Sequence, residues 1–316
     1  MRPDILVLGA LTSPHMLQQL EAGFTCHHAW RLPAAEQEAF IASVAGKARA
    51  VVTNGGLGIS RELIAQLPAI EIIAVNGIGV DAVPFDATRA RGIAVTNTPG
   101  VLTDDVADLG VLLLMAAARR LPWLDSYVRR GDWDAKKPIA PALSLRGKVA
   151  GIFGFGRIGQ AISHRLAAFG MRLCYYQPNP VAGTDVERVG SLHELAERCD
   201  YLVVAAPGGE RTRHSIDGSI LDALGPTGTL VNIARGSVVD EAALIAALTE
   251  GRLGAAALDV FEDEPHVPEA LRALPNVVLT PHVASLTVET RQAMGQLVVD
   301  NLLAHFAGKP LPTPVA

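Results

Sequence analysis

The chain has 316 residues, 49% of them hydrophobic and only 5% aromatic, with a formal net charge of −5. That length suits roughly two domains with aliphatic cores. An acidic balance without a long basic run excludes the cationic surface that nucleic acid requires. No nucleic acid is expected as a partner, and small soluble molecules are.

The opening MRPDILVLGALTS carries Asp4 within its apolar stretch and reads as a first strand rather than a signal segment. DILVLGA, ARAVVTN, IEIIAVNG and GIAVTNTP are expected as strands, separated by helices HMLQQLEAG, AAEQEAFIASVAG and SRELIAQLP. Strands alternating with helices imply a parallel sheet covered on both faces. A first α/β unit therefore ends near Asn97.

After TPGVLTDD an apolar helix is expected, with Thr103 as its N-cap and Asp104 and Asp105 in its first turn. Its apolar run LGVLLLMAAA is too short to span a bilayer, and no membrane association is expected. A polar connector, YVRRGDWDAKKPIAPALSLRGK, then leads to six further strands: KVAGIFG, RLCYY, YLVVAA, GTLVNIA, GAAALDV and NVVLTPH. SLHELAERC and DEAALIAALTEG read as helices between them. A last helix from Thr287 to His305 is expected to return to the first domain, which makes that domain discontinuous.

Cys26, Cys174 and Cys199 are widely spaced without a C-x-x-C. They fit buried thiols in a reducing cytoplasm, and no disulfide or metal site is expected. His27 and His28 are adjacent, so on a strand they point apart and do not share a metal.

GIFGFGRIG, Gly151 to Gly159, lies between the strand KVAGIF and the helix RIGQAISHRLAAFG, the context that a dinucleotide turn requires. Gly154 allows the tight turn, Gly156 lets backbone N–H groups approach a pyrophosphate, and Gly159 lets helix and strand close up. Where an acid would bind the ribose hydroxyls of NAD, the sequence CYYQPNP has Gln177. The missing carboxylate permits NADP, although QPNP holds no arginine for its phosphate. NADP(H) is favoured over NAD(H) by a small margin.

Arg235 in NIARGSVVD, Glu264 in VFEDEP and His282 in LTPHVAS fall at strand ends or loops beyond the glycine turn, where open α/β sheets place ligands. Together with VNGIGVDAV, VTNTPGVLTDDVADL, GIFGFGRIG, VVAAPGGERTRHSI and NIARGSVVDEAAL, ALDVFEDEP and LTPHVAS resemble the D-isomer-specific 2-hydroxyacid dehydrogenase family. The likeness runs over almost the whole chain, in the family's order. Within the family, VNGIGVDAV, TNTPGVLTDDVAD and the PGG of AAPGGERTRH look most like glyoxylate/hydroxypyruvate reductases and their 2-ketogluconate-reducing relatives.

The resemblance implies an α/β fold of two doubly wound parallel-sheet domains. A Rossmann cofactor domain, residues 98–286, is inserted into a flavodoxin-like substrate domain, residues 1–97 plus 287–316. It implies NAD(P)H-dependent reduction of small 2-oxo acids: glyoxylate, hydroxypyruvate or 2-ketogluconate. Reduction needs a cation for the carboxylate and a proton donor for the developing alkoxide. Arg235 supplies the first as a planar fork and His282 the second, with Glu264 fixing the imidazole tautomer.

Cofactor contacts implied are Thr103, Gly154, Phe155, Gly156, Arg157, Ile158 and Gly159, then Gln177, Pro178 and Asn179 after the second strand. Pro207, Thr212, Ile233, Ala234, Arg235, Asp259, His282, Ala284 and Ser285 complete the set, Asp259 at the nicotinamide amide. Asn54, Gly55 and Gly56 in NGGLG offer N–H groups to an anion, and Asn76 and Gly77 in NGIGVD match a second substrate-side loop; Arg235 and His282 are expected to bind the substrate as well. The family's dimers pack the polar connector across the two-fold, so a homodimer is expected, with Trp133 buried by the second subunit.

The alternative function on the same fold is a dinucleotide-sensing corepressor. The complete Arg, Glu and His set argues against it. A short-chain dehydrogenase is rejected because Tyr127 is followed by Val128, Arg129, Arg130 and Gly131, not by the required Y-x-x-x-K.

Overall fold

The computed structural model describes residues 2–10 and 13–315. It divides into two compact units, Met1–Leu102 with Ser285–Ala316, and Thr103–Ala284.

Unit 1 is built from β1 (Asp4–Val7), α1 (Pro14–Gly23), β2 (Thr25–His28), α2 (Ala34–Val44), β3 (Ala50–Asn54), α3 (Arg61–Gln66), β4 (Ile72–Asn76), α4 (Phe85–Ala90) and β5 (Ala94–Thr96). Its strands are all parallel, in the order β2-β1-β3-β4-β5, which is flavodoxin-like. β-branched runs such as AVVT and IIAV form the middle of the sheet because both of its faces are buried. α1 and α3 begin where a hydroxyl satisfies a free N–H: Ser13 accepts from Met16 and Ser60 from Leu63. The register sets Asn54 opposite Asn76. The two candidate substrate loops therefore leave the same edge of the sheet side by side.

Unit 2 opens with α5 (Thr103–Ala118) and α6 (Leu121–Arg129). It continues through β6 (Val149–Phe153), α7 (Arg157–Ala168), β7 (Arg172–Tyr176), β8 (Glu187–Arg188), α8 (Leu192–Arg198) and β9 (Tyr201–Val204). α9 (Gly218–Leu224), β10 (Thr229–Asn232), α10 (Glu241–Thr249), β11 (Ala255–Leu258), α11 (Glu269–Arg272) and β12 (Val277–Leu279) complete it. The seven parallel strands run β12-β11-β10-β9-β6-β7-β8, the doubly wound order of a dinucleotide-binding sheet. Leu202, Leu230 and Ala256 are fully buried in its core. Each such leucine contributes about 1.5–3 kcal/mol by leaving water.

The last helix, α12 (Val288–Phe306), is capped by Thr287, whose side chain accepts from the Thr290 N–H. It returns to unit 1, where Val298, Val299 and Leu302 join the core with Ile72 and Ala74. Gly295 makes room for α1, since a Cβ there would lie 2.6 Å from that of Met16.

Several local expectations change. Thr103 is the first residue of α5 rather than its N-cap, and its buried Oγ1 has no hydrogen-bond partner. β2, with the sequence TCHH, lacks the apolar signature of a strand and forms by pairing along β1. In it His27 faces Asp4 at 2.8 Å and His28 faces Glu21 at 3.2 Å. β8, two residues long, makes seven strands of the expected six. The polar connector begins inside α6, and Trp133 within it is 66% exposed on the single chain.

Candidate active site

Dinucleotide turns depend on backbone geometry, and here the glycines divide the labour. Gly154 has φ +90°, and a Cβ on it would lie 2.5 Å from Ala206 Cα. A Cβ on Gly159 would stand 2.2 Å from the carbonyl oxygen of Gly154, so only glycine lets α7 start this close to β6. Gly156, by contrast, faces open space. As the N-cap of α7 it supplies no side-chain bond, which leaves the N–H groups of Arg157 and Ile158 aimed outward with the positive end of the helix. The orphaned hydroxyl of Thr103 is a further polar atom of unit 2 without a protein partner. An exposed N–H cradle of this kind fits a pyrophosphate.

At the end of β7, Gln177 ties the turn down. Its Oε1 accepts the Phe155 N–H at 2.9 Å and its Nε2 donates to the Asn179 carbonyl at 2.8 Å. Arg188, which the sequence reading did not single out, comes from β8 to the same loop. Its guanidinium donates to the carbonyls of Gln177 (3.0 Å) and Pro178 (2.8 Å). After β9, Thr212 Oγ1 donates to the Pro207 carbonyl at 2.6 Å and closes that loop.

Arg235 follows β10 in the segment Ile233–Ala234–Arg235. Asn232 shapes this turn, accepting from the Ala234 N–H and donating to the Arg235 carbonyl. Gly236 permits its approach to the chain after β11, because a Cβ would fall 1.9 Å from Phe261 carbonyl atoms. One guanidinium nitrogen of Arg235 donates to the Ala234 carbonyl at 2.7 Å.

His282 stands after β12 with φ +52°, a left-handed conformation uncommon outside glycine. Its Nδ1 lies 2.7 Å from Oε2 of Glu264, and Oε1 of Glu264 accepts the Phe261 N–H at 3.0 Å. Burial alone would raise the Glu264 pKa. The bonds from His282 and Phe261 and the charges of His282 and Arg235 prevail and hold it below its ordinary value. An ionised Glu264 leaves Nδ1 as a donor and Nε2 available for a ligand.

Asp259 is fully buried. Its Oδ1 accepts from Thr280 Oγ1 (2.7 Å) and the Val283 N–H (2.9 Å), and its Oδ2 from the Ala284 N–H (3.0 Å). The residue expected at the nicotinamide amide is thus engaged in shaping the turn that carries His282. Phe261 and Thr280, absent from the expected set, belong to the same framework; neither carries a side-chain signature that the sequence could reveal.

In unit 1, the side chain of Asn54 accepts the N–H groups of Gly56 (3.1 Å) and Leu57 (2.8 Å). The Gly56 N–H, expected to face an anion, is consumed within the loop because an Asx turn satisfies it locally. Gly55 keeps its N–H. Asn76 Oδ1 is buried without a partner, and the Gly77 carbonyl accepts from Thr98. Ser285 belongs to unit 1 and Ala284 to unit 2.

Burial drives the thiol pKa values of Cys26 and Cys174 up to about 11 and that of Cys199 to about 12, which keeps them protonated at neutral pH. Among the described residues no cluster of His, Cys, Asp and Glu could hold a metal, and no helix is long and apolar enough to cross a membrane.

Residues 111–284 match the family model for the NAD binding domain of D-isomer specific 2-hydroxyacid dehydrogenases. A hydroxyphenylpyruvate reductase of Plectranthus scutellarioides is 48% identical over 303 residues, covering 96% of each chain. A 2-ketogluconate reductase of Gluconobacter oxydans is 46% identical over 99% of each. The crystal structure of an NADPH-dependent glyoxylate/hydroxypyruvate reductase from Sinorhizobium meliloti, in complex with NADP and malonate, superposes with a TM-score of 0.91. It is 42% identical, with 100% of this chain and 97% of that one covered. An exposed N–H cradle on a doubly wound sheet, a glutamate-held histidine and this likeness along the whole chain have one meaning: the protein belongs to the D-isomer specific 2-hydroxyacid dehydrogenase family and is an NAD(P)-dependent dehydrogenase.

Proposed function

We propose that this chain reduces small 2-oxo acids to D-2-hydroxy acids, with glyoxylate and hydroxypyruvate as first substrates and 2-ketogluconate as a further one. The observation that carries the reading is the 2.7 Å bond between His282 Nδ1 and Glu264. It fixes the tautomer and leaves Nε2 to deliver a proton to the substrate's carbonyl oxygen. A reduced nicotinamide, when bound, supplies the hydride to the adjacent carbon. Arg235 holds the carboxylate through its planar guanidinium fork, a charge-assisted contact worth about 1.5–3 kcal/mol.

Gly154, Phe155, Gly156, Arg157, Ile158 and Gly159 hold the pyrophosphate. Thr103, Pro207, Thr212, Ile233 and Ala234 with Ala284 and Ser285 are further cofactor contacts. NADPH is preferred over NADH. The Gly55 N–H with the Asn54 and Asn76–Gly77 loops gives unit 1 its substrate-side contacts. Exposed Leu121, Val128, Trp133, Ile139 and Leu143 on α6 and the connector support a homodimer, and three free thiols support a cytoplasmic location.

The test is consumption of NADPH or NADH, followed at the reduced-nicotinamide absorbance band, with glyoxylate, hydroxypyruvate, 2-ketogluconate, hydroxyphenylpyruvate and pyruvate in turn. Turnover of the hydroxylated small acids is expected. Cofactor binding without turnover of any acid would overturn the reading in favour of a sensing role. Sedimentation equilibrium giving a monomer at micromolar protein would defeat the dimer.

A further inference from the structure

We propose that Arg188 recognises the 2′-phosphate of NADP(H), so that cofactor choice is set from the edge strand β8 and not from side chains of the loop that follows β7. The proposal rests on the dinucleotide-dependent function put forward above.

In a doubly wound sheet the adenosine ribose is met at the end of the second strand, about 20 residues beyond the glycine turn. That end is Gln177. It carries no negative charge to repel a phosphate, and its amide is already used on both sides, by the Phe155 N–H and the Asn179 carbonyl. Its task is to hold the loop. Pro178, Asn179 and Pro180 bring no cation.

The cation arrives from elsewhere in the chain. β8 pairs in parallel with β7, Tyr175 opposite Arg188. This pairing brings the Arg188 guanidinium to the loop, where Nε donates to the Gln177 carbonyl and Nη2 to the Pro178 carbonyl. A guanidinium has five N–H donors, so the two bonds orient the group and leave both Nη1 hydrogens and one on Nη2 without an acceptor. Arg188 is exposed and forms no ion pair among the described residues. The adjacent carboxylate, Glu187, is taken by Arg198 at 2.6 Å, and successive strand residues face opposite sides of a sheet.

A planar fork, oriented by backbone carbonyls and left without a counter-ion, suits a phosphate more than a neutral hydroxyl. Because its orientation is set before binding, little conformational freedom is lost when the phosphate arrives. The 2′-hydroxyl of NAD(H) gains little from the same group.

The test is direct binding of NADPH, NADH, 2′,5′-ADP and 5′-AMP to the wild-type protein, Arg188→Ala and Arg188→Lys, by nicotinamide fluorescence and titration calorimetry. Arg188→Ala is expected to weaken NADPH and 2′,5′-ADP about tenfold or more, the worth of one charge-assisted hydrogen bond. NADH and 5′-AMP should stay within about twofold, a change of under half a kcal/mol. Arg188→Lys should recover part of the loss, keeping the charge without the fork. Equal weakening of both cofactors would show that Arg188 only braces the loop, and an unchanged NADPH affinity would show that it takes no part; either overturns the proposal alone. Failure of the wild-type protein to bind any of the four would overturn it together with the dehydrogenase reading.

Discussion

The main-chain N–H of His282 donates to the carbonyl oxygen of Asp259 at 2.7 Å, while the Asp259 carboxylate holds the next two N–H groups of the same turn. Asp259 therefore grips His282 from the backbone and keeps it in a left-handed conformation that a side-chain-bearing residue adopts at a cost of order 1–3 kcal/mol. Asp259 acts here as a positioning residue.

Replacing Asp259 by alanine leaves Thr280, Val283 and Ala284 donors unsatisfied. Asp259→Ala is expected to destabilise unit 2 by about 3 kcal/mol, read as a lowered midpoint in chemical denaturation. Asp259→Asn, which keeps acceptor capacity, should lose less. Equal stability of Asp259→Ala and wild type would show that the carboxylate does not support the turn.

His282→Ala should lose about 10²–10⁴ in turnover, the usual worth of a positioned proton donor. Its affinity for NADPH, measured by fluorescence, should change little. Full turnover in this variant would remove His282 from the chemistry.

Glu264 has a pKa below its ordinary value of 4.5. A depressed carboxyl pKa contributes stability that is present above the unfolded value and is lost as pH falls through the folded one. Thermal melts of wild type and Glu264→Gln should therefore differ at neutral pH and converge below about pH 4.5. A difference that persists unchanged into acid would mean that the charge of Glu264 is not what stabilises the fold.

Two glycines of one motif should respond in opposite ways. Gly156→Val places its side chain in open space, so the melting midpoint should hold while cofactor binding is lost. Gly159→Ala meets the Gly154 carbonyl and should lower the midpoint, since overpacking costs about 1–3 kcal/mol. Retained cofactor affinity in Gly156→Val would assign that position to packing alone.

The sequence by itself determined the alternation of strands and helices and the type of each sheet, because β-branched runs buried on both faces and 3.6-residue periodicities are local signals. It also determined the glycine turn, whose residues sit within one short segment, and it picked out Arg235, Glu264 and His282 through motifs that are contiguous in the chain. Only the tertiary structure decided what depends on non-local pairing. β2 and β8 carry no strand signature and exist because β1 and β7 offer them a ladder. The Gly56 N–H, free in principle, is taken by Asn54. Asp259 turned out to clamp the His282 turn, because a carboxylate's partners are backbone donors whose direction no residue type reveals. Arg188 reaches the loop after β7 across eleven residues of chain, a neighbour that spacing could not supply, because it is created by hydrogen bonds between strands.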